Sequence, residues 1–302
     1  KFICYLHLAQ LYIGDQKMAS YNVRSAIDNG WNPESFGCSR FGSELLEKIC
    51  DFQKLHGLKA DGFCGPKTVE ILHKTQKKKN VIICGLKQIK LKTKTVLWFH
   101  KKGLAAEQGT YRELYSERDV KLFVNHWDVV AGEGSKSTIK ILNKRKLSCQ
   151  FLIDKDGVIY QTVNAQHICF HAGGRKWNNE SVGVEINNPY YIKYQDKKNP
   201  RPIVENATVH GKKMSKHLDF YPVQVDALVD LWRALNKGYG IPFRTPSKKI
   251  KYGKHVDLGT VHEPSQLGEY SGGIHHYNLT ASKIDCGGFE LNDVLRKIKK
   301  IN

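Results

Sequence analysis

The stretch Gln150-Phe151-Leu152-Ile153-Asp154-Lys155-Asp156-Gly157-Val158-Ile159-Tyr160-Gln161 places two apolar runs on either side of a polar turn that contains glycine. This pattern predicts a β-hairpin. Apolar runs at residues 121–124 and 182–186 predict two more buried strands, and residues 222–237 carry apolar side chains at helical spacing. From about residue 96 onward we therefore expect an α/β fold, with a mixed central β-sheet flanked by helices.

The N-terminal part of the chain contains an internal repeat. Residues 42–49 and residues 65–72 each begin with a glycine and continue with apolar side chains on one helical face. Gln53 and Gln76 occupy the same place after the two copies. Gly57 is expected to end the first helix, and Asp61-Gly62 to form a tight turn.

The residues around this repeat carry a recognisable signature, which reads Phe52-Gln53, Gly57-Leu58, Asp61-Gly62 and Gly65-Pro66-Lys67-Thr68. It resembles the peptidoglycan-binding domain of many wall hydrolases over roughly residues 20–76. The resemblance implies a small three-helix bundle that binds the bacterial cell wall. We accordingly predict a peptidoglycan-binding domain at residues 1–76, a basic linker at 77–95 and a catalytic domain at 96–302. Residues 81–83 are apolar enough to form a short strand inside the linker.

Size and composition limit the class of protein. The chain has 302 residues, of which 40% are hydrophobic and 25% charged, as in globular proteins. It has no apolar run near the ~20 residues that a membrane span needs, so we expect no membrane insertion. Residues 2–13 are interrupted by His7 and Gln10, which favours a core helix or strand over a signal peptide.

The formal net charge of +19 would attract a polyanion, whether nucleic acid, an anionic membrane or a cell wall. Seven lysines fall between Lys77 and Lys94, forming either a solvated linker face or a strip that contacts a polyanion. No nucleic-acid-binding motif accompanies the charge, so we do not expect a nucleic-acid partner. The eight cysteines include no CxxC pair, and we expect free buried thiols, which suit a reducing cytosol.

Five segments carry side chains suited to catalysis. A catalytic zinc ion needs three protein ligands and an open position. The segments, in chain order, are Val124–Trp127, Phe151–Ile153 with Asp156-Gly157, His171–Gly173, Ser181–Glu185, and His275–Thr280 followed by Lys283–Gly287. Together they resemble the N-acetylmuramoyl-L-alanine amidase family, which includes phage lysozymes of the amidase type and the peptidoglycan recognition proteins. The resemblance covers residues 119–295.

The family resemblance implies a role for each matching residue. His126 and His276 would bind Zn²⁺, and the third ligand would be Asp285 or its neighbour Cys286, with Asp285 favoured. Glu185 would be the proton-transferring carboxylate, and Lys283 would stabilise the oxyanion. The remaining match, His171, would contact the substrate or the oxyanion, or play a structural role.

Two departures from the family pattern stand out. Asn278 replaces the aspartate of the family's His-x-Asp motif. Some relatives also carry a tyrosine in the strand that here holds Phe151.

The predicted function is zinc-dependent hydrolysis of the amide bond between N-acetylmuramic acid and L-alanine in peptidoglycan. Alternatives are a non-catalytic peptidoglycan-binding protein, a zinc peptidase that cuts the stem peptide and, more remotely, a nucleic-acid-binding protein. The setting that fits is a monomeric phage endolysin, held in the host cytoplasm before lysis. A bacterial autolysin or wall-recycling enzyme is the second choice.

Overall fold

A computed structural model describes residues 13–76, 80–250 and 253–301 of the chain. The element predicted for residues 2–13 lies almost wholly outside these residues. The chain divides into two compact units. The first comprises Lys1–Lys79 and Gly85–Gln88, and the second comprises Asn80–Cys84 and Ile89–Asn302.

Within its described residues, the first unit contains three α-helices and one 3₁₀ turn, Pro33–Phe36. The helices are α1 (Ile13–Asn29), α2 (Ser43–Leu55) and α3 (Pro66–Thr75). Both predicted repeat helices are confirmed, and α3 starts with proline at its first position, where no backbone N–H is needed. Gly57 and Gly62 have φ values of +67° and +73°, as the predicted helix end and tight turn require.

Gln53 fixes the turn between α2 and α3. Its side chain is 2% exposed. Its amide nitrogen donates to the Phe63 carbonyl at 2.9 Å, to the Asp61 carboxylate at 3.0 Å and to the Thr68 hydroxyl at 3.2 Å. Its amide oxygen accepts from the backbone N–H groups of Asp61 and Gly62, both at 3.0 Å. One buried amide thus satisfies the polar groups of a turn that has no regular structure of its own.

The rest of the chain alternates strands and helices. The strands are β1 (Val81–Cys84), β2 (Lys87–Lys90), β3 (Thr95–Leu97), β4 (Tyr111–Arg112), β5 (Leu122–Trp127), β6 (Phe151–Ile153), β7 (Ile159–Gln161), β8 (Ile168–Cys169), β9 (Ser181–Ile186), β10 (Ile203–Val204), β11 (Thr208–Val209), β12 (Lys212–Lys213), β13 (His217–Leu218), β14 (Ser247–Lys249), β15 (His255–Asp257) and β16 (Gly272–His275). The helices are α4 (Ser135–Lys144), α5 (Arg175–Asn179), α6 (Pro222–Tyr239), α7 (Glu263–Leu267) and α8 (Leu291–Ile301). Further 3₁₀ turns lie at Ile192–Tyr194 and His276–Asn278.

A six-stranded mixed sheet forms the centre of the second unit, in the order β16-β5-β9-β6-β7-β3. The hairpin partners β6 and β7 are antiparallel, whereas every other neighbouring pair is parallel. The predicted strands, hairpin and helix at 222–237 are all present, and the predicted fold class is confirmed.

The alternation of side chains along β5 and β9 separates a core face from a second face. Phe123, Val182 and Val184 point to the core face, where they pack with Leu228 and Trp232 of α6. The intervening residues of both strands point the opposite way. His126 and Glu185 are register partners, so both leave the sheet on that second face, near the carboxyl ends of their strands.

The polar segment at residues 189–218, for which three prolines and weak periodicity predict a long loop, contains two nested hairpins. Strand β10 pairs with β13, and β11 pairs with β12 inside them. Each of these strands has only two residues, which is too short to give a periodic signal in the sequence.

Seven of the eight cysteines lie among the described residues, and none of these forms a disulfide. Cys50 is half-buried and the other six are buried, in line with the predicted free thiols. Within the described residues, no helix combines the length and apolar character needed to cross a membrane.

Replacing Gln53 with alanine should lower the unfolding free energy of the first unit by about 2–3 kcal/mol, because the buried N–H and carbonyl groups of the turn would lose their partners. Native-state hydrogen exchange of the α2 and α3 amides in the full chain measures this. Gln76→Ala, at the equivalent but exposed place after α3, is the matched control and should change stability by less than about 0.5 kcal/mol. Equal effects of the two substitutions would contradict the role given to Gln53.

Candidate metal centre

Two histidines converge on one carboxylate at the second face of the sheet. His126 Nδ1 lies 3.0 Å from Asp285 Oδ2, and His276 Nδ1 lies 3.1 Å from the same oxygen. The potential ligand atoms of the three residues all lie within 4.8 Å of one another. His126 lies far from His276 and Asp285 in the chain. The parallel pairing of β16 with β5 brings His126 close to the other two residues.

This cluster fits a zinc ion. Two imidazoles and one carboxylate are a common catalytic ligand set that leaves a fourth position open. Ligand atoms at 2.0–2.1 Å from a tetrahedral zinc lie about 3.3 Å apart, close to the separations seen here. In addition, the buried Nε2 atom of His276 has no hydrogen-bond partner in the described part of the chain, so the ring has polar capacity that these residues do not satisfy.

Asp285 and Cys286 point to different environments. The Asp285 side chain is 14% exposed and faces the two histidines, whose hydrogen bonds and charge hold its pKa low although burial opposes this. The Cys286 thiol is fully buried in the hydrophobic core, and burial raises its pKa well above the ordinary range. Among the described residues, the group of clustered ligand atoms includes Asp285 and not Cys286.

His171 lies behind the first of the two histidines. His171 Nδ1 is 3.1 Å from His126 Nε2, and His171 Nε2 is 3.3 Å from the Ser181 hydroxyl. Burial and the two neighbouring histidines lower its pKa, which favours the neutral ring. The structure thus places His171 where it orients His126, while one edge of its ring also lines a cleft.

The Ser-Val-Gly-Val-Glu segment has a simple geometric explanation. Ser181, Gly183 and Glu185 alternate onto the metal-centre face of β9. A Cβ atom on Gly183 would stand 2.6 Å from His171 Nδ1 and 2.8 Å from Cys149 Sγ. Glycine is therefore needed there because the His171 ring lies directly against the strand.

The buried environment of the Glu185 carboxyl group is unfavourable for a negative charge. Burial, with smaller contributions from Asp128 and Asp285, raises its pKa well above the usual range. Its Oε2 atom is buried and has no hydrogen-bond partner among the residues that the structure describes. A carboxyl group with a raised pKa can accept and return a proton near neutral pH, as general acid–base catalysis requires.

A cleft of about 540 Å³ opens beside His276 and His171. Its wall includes the cationic side chains of Lys283, Arg112 and Arg175 and the apolar side chains of Leu147 and Phe170. Such a lining suits a ligand that carries both carboxylates and aliphatic groups.

His275 is not part of the metal-binding group, although it precedes His276. Its Nε2 atom bonds to Asp257 Oδ2 at 2.8 Å inside the protein. Asn278, the residue that departs from the family motif, accepts from the His275 backbone N–H at 2.9 Å and donates to the Thr260 carbonyl at 2.8 Å. An amide can do both, so Asn278 holds the turn that presents His276.

Sequence reasoning missed Asp257, a buried carboxylate of the second unit. Besides His275, it accepts from the backbone N–H groups of Leu291 and Asn292. Nothing around Asp257 in the sequence marks it, because its partners lie on β16 and α8.

Phe151 occupies the strand where some relatives carry a tyrosine. Its side chain is completely buried in the core that includes α6. It pairs in register with Val184 and shares its face, opposite that of Glu185. A hydroxyl at position 151 would therefore point away from the metal centre.

Two family descriptions match parts of the chain. Residues 116–265 match the family described as N-acetylmuramoyl-L-alanine amidase, and residues 28–72 match a family described as a peptidoglycan binding domain. The first match contains His126, His171 and Glu185, whereas His276 and Asp285 follow its end.

Several solved structures show a weak likeness to the chain. One is the N-acetylmuramoyl-L-alanine amidase LysC from Clostridium intestinale URNW, with 15% identity, a TM-score of 0.39, and 68% of this chain and 97% of that chain covered. Another is the Ph2119 endolysin from the Thermus scotoductus MAT2119 bacteriophage Ph2119, with 15% identity, a TM-score of 0.40, and coverage of 68% and 99%. The E. coli amidase AmiD has 21% identity and a TM-score of 0.30, and the likeness covers 47% of this chain and 55% of AmiD. No curated protein matches the chain.

The metal-free centre should make stability depend on pH. Burial and the nearby His276 lower the pKa of His126 to about 4 from an ordinary 6.5. Below pH 6.5 the His126 ring of the unfolded chain binds a proton, whereas the same ring in the folded chain stays unprotonated down to about pH 4. The stabilisation of the folded state that is present above pH 6.5 is therefore lost as the pH falls from 6.5 to about 4. We expect His126 to lower the unfolding free energy of chelator-treated protein by about 3 kcal/mol across this pH window, to which the lowered pKa of His171 adds and which the raised pKa of Glu185 opposes.

Urea unfolding at a series of pH values measures this fall. Because the pKa of Asp285 is lowered, its protonation changes the stability only at pH values below the ordinary carboxylate pKa, which lie outside this pH window. His126→Asn should show a smaller fall because it lacks the titrating ring. Identical pH profiles for the two proteins would exclude His126 as the source.

Proposed function

We propose that this chain, in which residues 116–265 match the N-acetylmuramoyl-L-alanine amidase family and residues 28–72 a peptidoglycan binding domain, cleaves peptidoglycan with a zinc ion held by His126, His276 and Asp285. The bond cut joins N-acetylmuramic acid to L-alanine. The observation that carries the zinc proposal is the convergence of two imidazole nitrogens on one Asp285 oxygen beside an open cleft.

Each step assigns a task to a residue of this chain. A bound zinc ion would polarise the scissile carbonyl and lower the pKa of a water molecule. Glu185 takes a proton from the attacking water and later gives it to the leaving amide nitrogen, so that it ends in its starting state. Lys283, an exposed cation on the cleft wall, stabilises the negative charge that develops on the carbonyl oxygen. His171 keeps the His126 ring in place during these steps.

The cleft also suggests how the stem peptide is held. Arg112 and Arg175 both line the cleft and are exposed at its wall. Arg112 is braced by a hydrogen bond of 2.8 Å to the Asn179 side chain. Guanidinium groups pair well with carboxylates, so we assign to these arginines the acidic groups of the peptide.

The division of labour along the chain follows the sequence prediction. We assign wall binding to residues 1–76, connection to 77–95 and catalysis to 96–302. The free thiols among the described cysteines suit a reducing compartment. They support the proposal of a monomeric, bacteriolytic phage endolysin that is held in the host cytoplasm and acts on the cell wall at lysis.

Glu185→Gln should lower the rate of wall hydrolysis by about 10²- to 10⁴-fold, because the amide cannot shuttle a proton, while zinc stays bound. The measurements are release of free N-terminal L-alanine from purified wall and metal analysis of the same samples. Glu180→Gln, at a carboxyl group beside Lys121, is the matched control and should retain activity. Normal turnover by zinc-loaded Glu185→Gln would remove Glu185 from its role. Products cut within the stem peptide, identified by mass spectrometry, would indicate a peptidase instead.

Asp285→Ala and Cys286→Ala should separate the two candidates for the third ligand. Loss of Asp285 removes a ligand, so zinc binding should weaken by more than about 100-fold. Cys286→Ala should keep about one zinc ion per chain and cost only some core packing. Chelator competition and metal analysis provide the measurement, with wall hydrolysis as a second readout. The reverse pattern would assign the ligand to Cys286.

A further inference from the structure

The loop from Lys283 to Gly288 carries two proposed functional residues but has no regular secondary structure. On its inner side, Cys286 is buried in the core, and the Asp285 carbonyl accepts from the Tyr277 N–H at 3.3 Å. Short loops of this kind hold a side chain in place only when other parts of the protein fix their backbone. Contacts on the other side of the loop provide this support.

The turn of the inner hairpin, between β11 and β12, contacts the loop before Asp285. His210 Nε2 lies 2.9 Å from the Lys283 carbonyl oxygen, and His210 Nδ1 lies 3.4 Å from the Thr260 hydroxyl. This assigns the ring proton to Nε2, which donates to the carbonyl. The His210 backbone N–H also donates to the Gly259 carbonyl at 2.9 Å, which anchors the turn.

Strand β13 of the outer hairpin contacts the loop after Asp285. His217 Nε2 lies 3.1 Å from the Gly287 carbonyl oxygen, and the ring is fully buried. It stacks on Tyr190 at a centroid distance of 4.7 Å and meets the edge of Trp127, the residue after His126. The contact therefore reaches back to the strand that carries the first proposed ligand.

The two glycines of the loop allow this close approach. A Cβ atom at Gly287 would stand 2.4 Å from Met214 Sδ and 2.6 Å from Val209 Cγ2. A Cβ atom at Gly288 would stand 2.5 Å from Val204 Cγ1. The side chains of the hairpins thus occupy the space that loop side chains would otherwise fill.

We propose that His210 and His217 form a clamp that sets the positions of Lys283 and Asp285, so that the hairpins at residues 203–218 are a working part of the amidase centre. The clamp histidines bond to backbone carbonyls on both sides of Asp285 and touch neither the metal position nor the cleft, so they are positioning residues. The inference rests on the proposed zinc amidase function.

His210→Ala tests the clamp, because this side chain is only half-buried and its loss should leave the fold intact. Zinc affinity, measured by chelator competition, should weaken by about 10-fold, the size typical of residues that support a ligand. At saturating zinc, kcat should still fall while KM changes little, because Lys283 is displaced during the chemical step. His210→Gln offers an N–H donor at a similar place and should restore both quantities in large part.

His255→Ala is the matched control. His255 is exposed on another hairpin, β14–β15, where its Nδ1 atom approaches the Ser247 hydroxyl at 3.4 Å. It should show wild-type zinc affinity and kcat.

The clamp is overturned if His210→Ala keeps the zinc affinity and kcat of the wild type, or if His210→Gln is as impaired as His210→Ala. The proposed function fails separately, and visibly, if the wild-type protein itself neither binds zinc nor releases L-alanine from wall.

Discussion

Two imidazole rings contact a single carboxylate oxygen, and the proposed site in the second unit depends on that contact. Asp285 Oδ2 is held between His126 at the end of β5 and His276 just beyond β16. A carboxylate with so little exposure is stable only with cationic or hydrogen-bonding partners, and two imidazoles are the side chains that contact this oxygen. A divalent ion would satisfy all three groups at once. The same arrangement thus explains both the local electrostatics and the chemistry we propose.

Buried polar groups hold the frame on which this contact depends. Asp257 ties β15 to β16 and to the start of α8, and so fixes the strand that leads into His276. Asp128 follows β5 and accepts hydrogen bonds from the Thr138 hydroxyl, the Asn187 amide and the Asn188 N–H. It thereby joins the chain after β5 to the chain after β9. Both carboxylates lie close to the ends of strands that carry proposed functional residues, where backbone polar groups leave the ladder and need partners.

The hairpins at residues 203–218 show how an insertion can serve a catalytic centre without contributing a catalytic group. Their side chains fill the space over Gly287 and Gly288, and their histidines bond to the loop backbone. A loop glycine gives no side-chain support of its own, so the support has to come from elsewhere. The rigidity needed at Asp285 is in this way supplied by residues more than sixty positions earlier in the chain.

The local sequence pattern was sufficient to predict the helices and strands that bury one regular face. The repeat helices at Ser43 and Pro66, the 150–161 hairpin and helix 222–239 follow from periodicity and turn residues, because burial on one face imposes that spacing. The resemblance of the sequence motifs to the amidase family also indicated His126, His276 and Asp285 as zinc ligands. Tertiary structure alone decided which of two adjacent side chains, Asp285 or Cys286, faces the histidines, since neighbouring residues in an irregular loop follow no fixed alternation. It alone revealed Asp257 and the clamp of His210 and His217, because their partners are distant in sequence and hydrogen bonds to backbone carbonyls leave no signature in residue type.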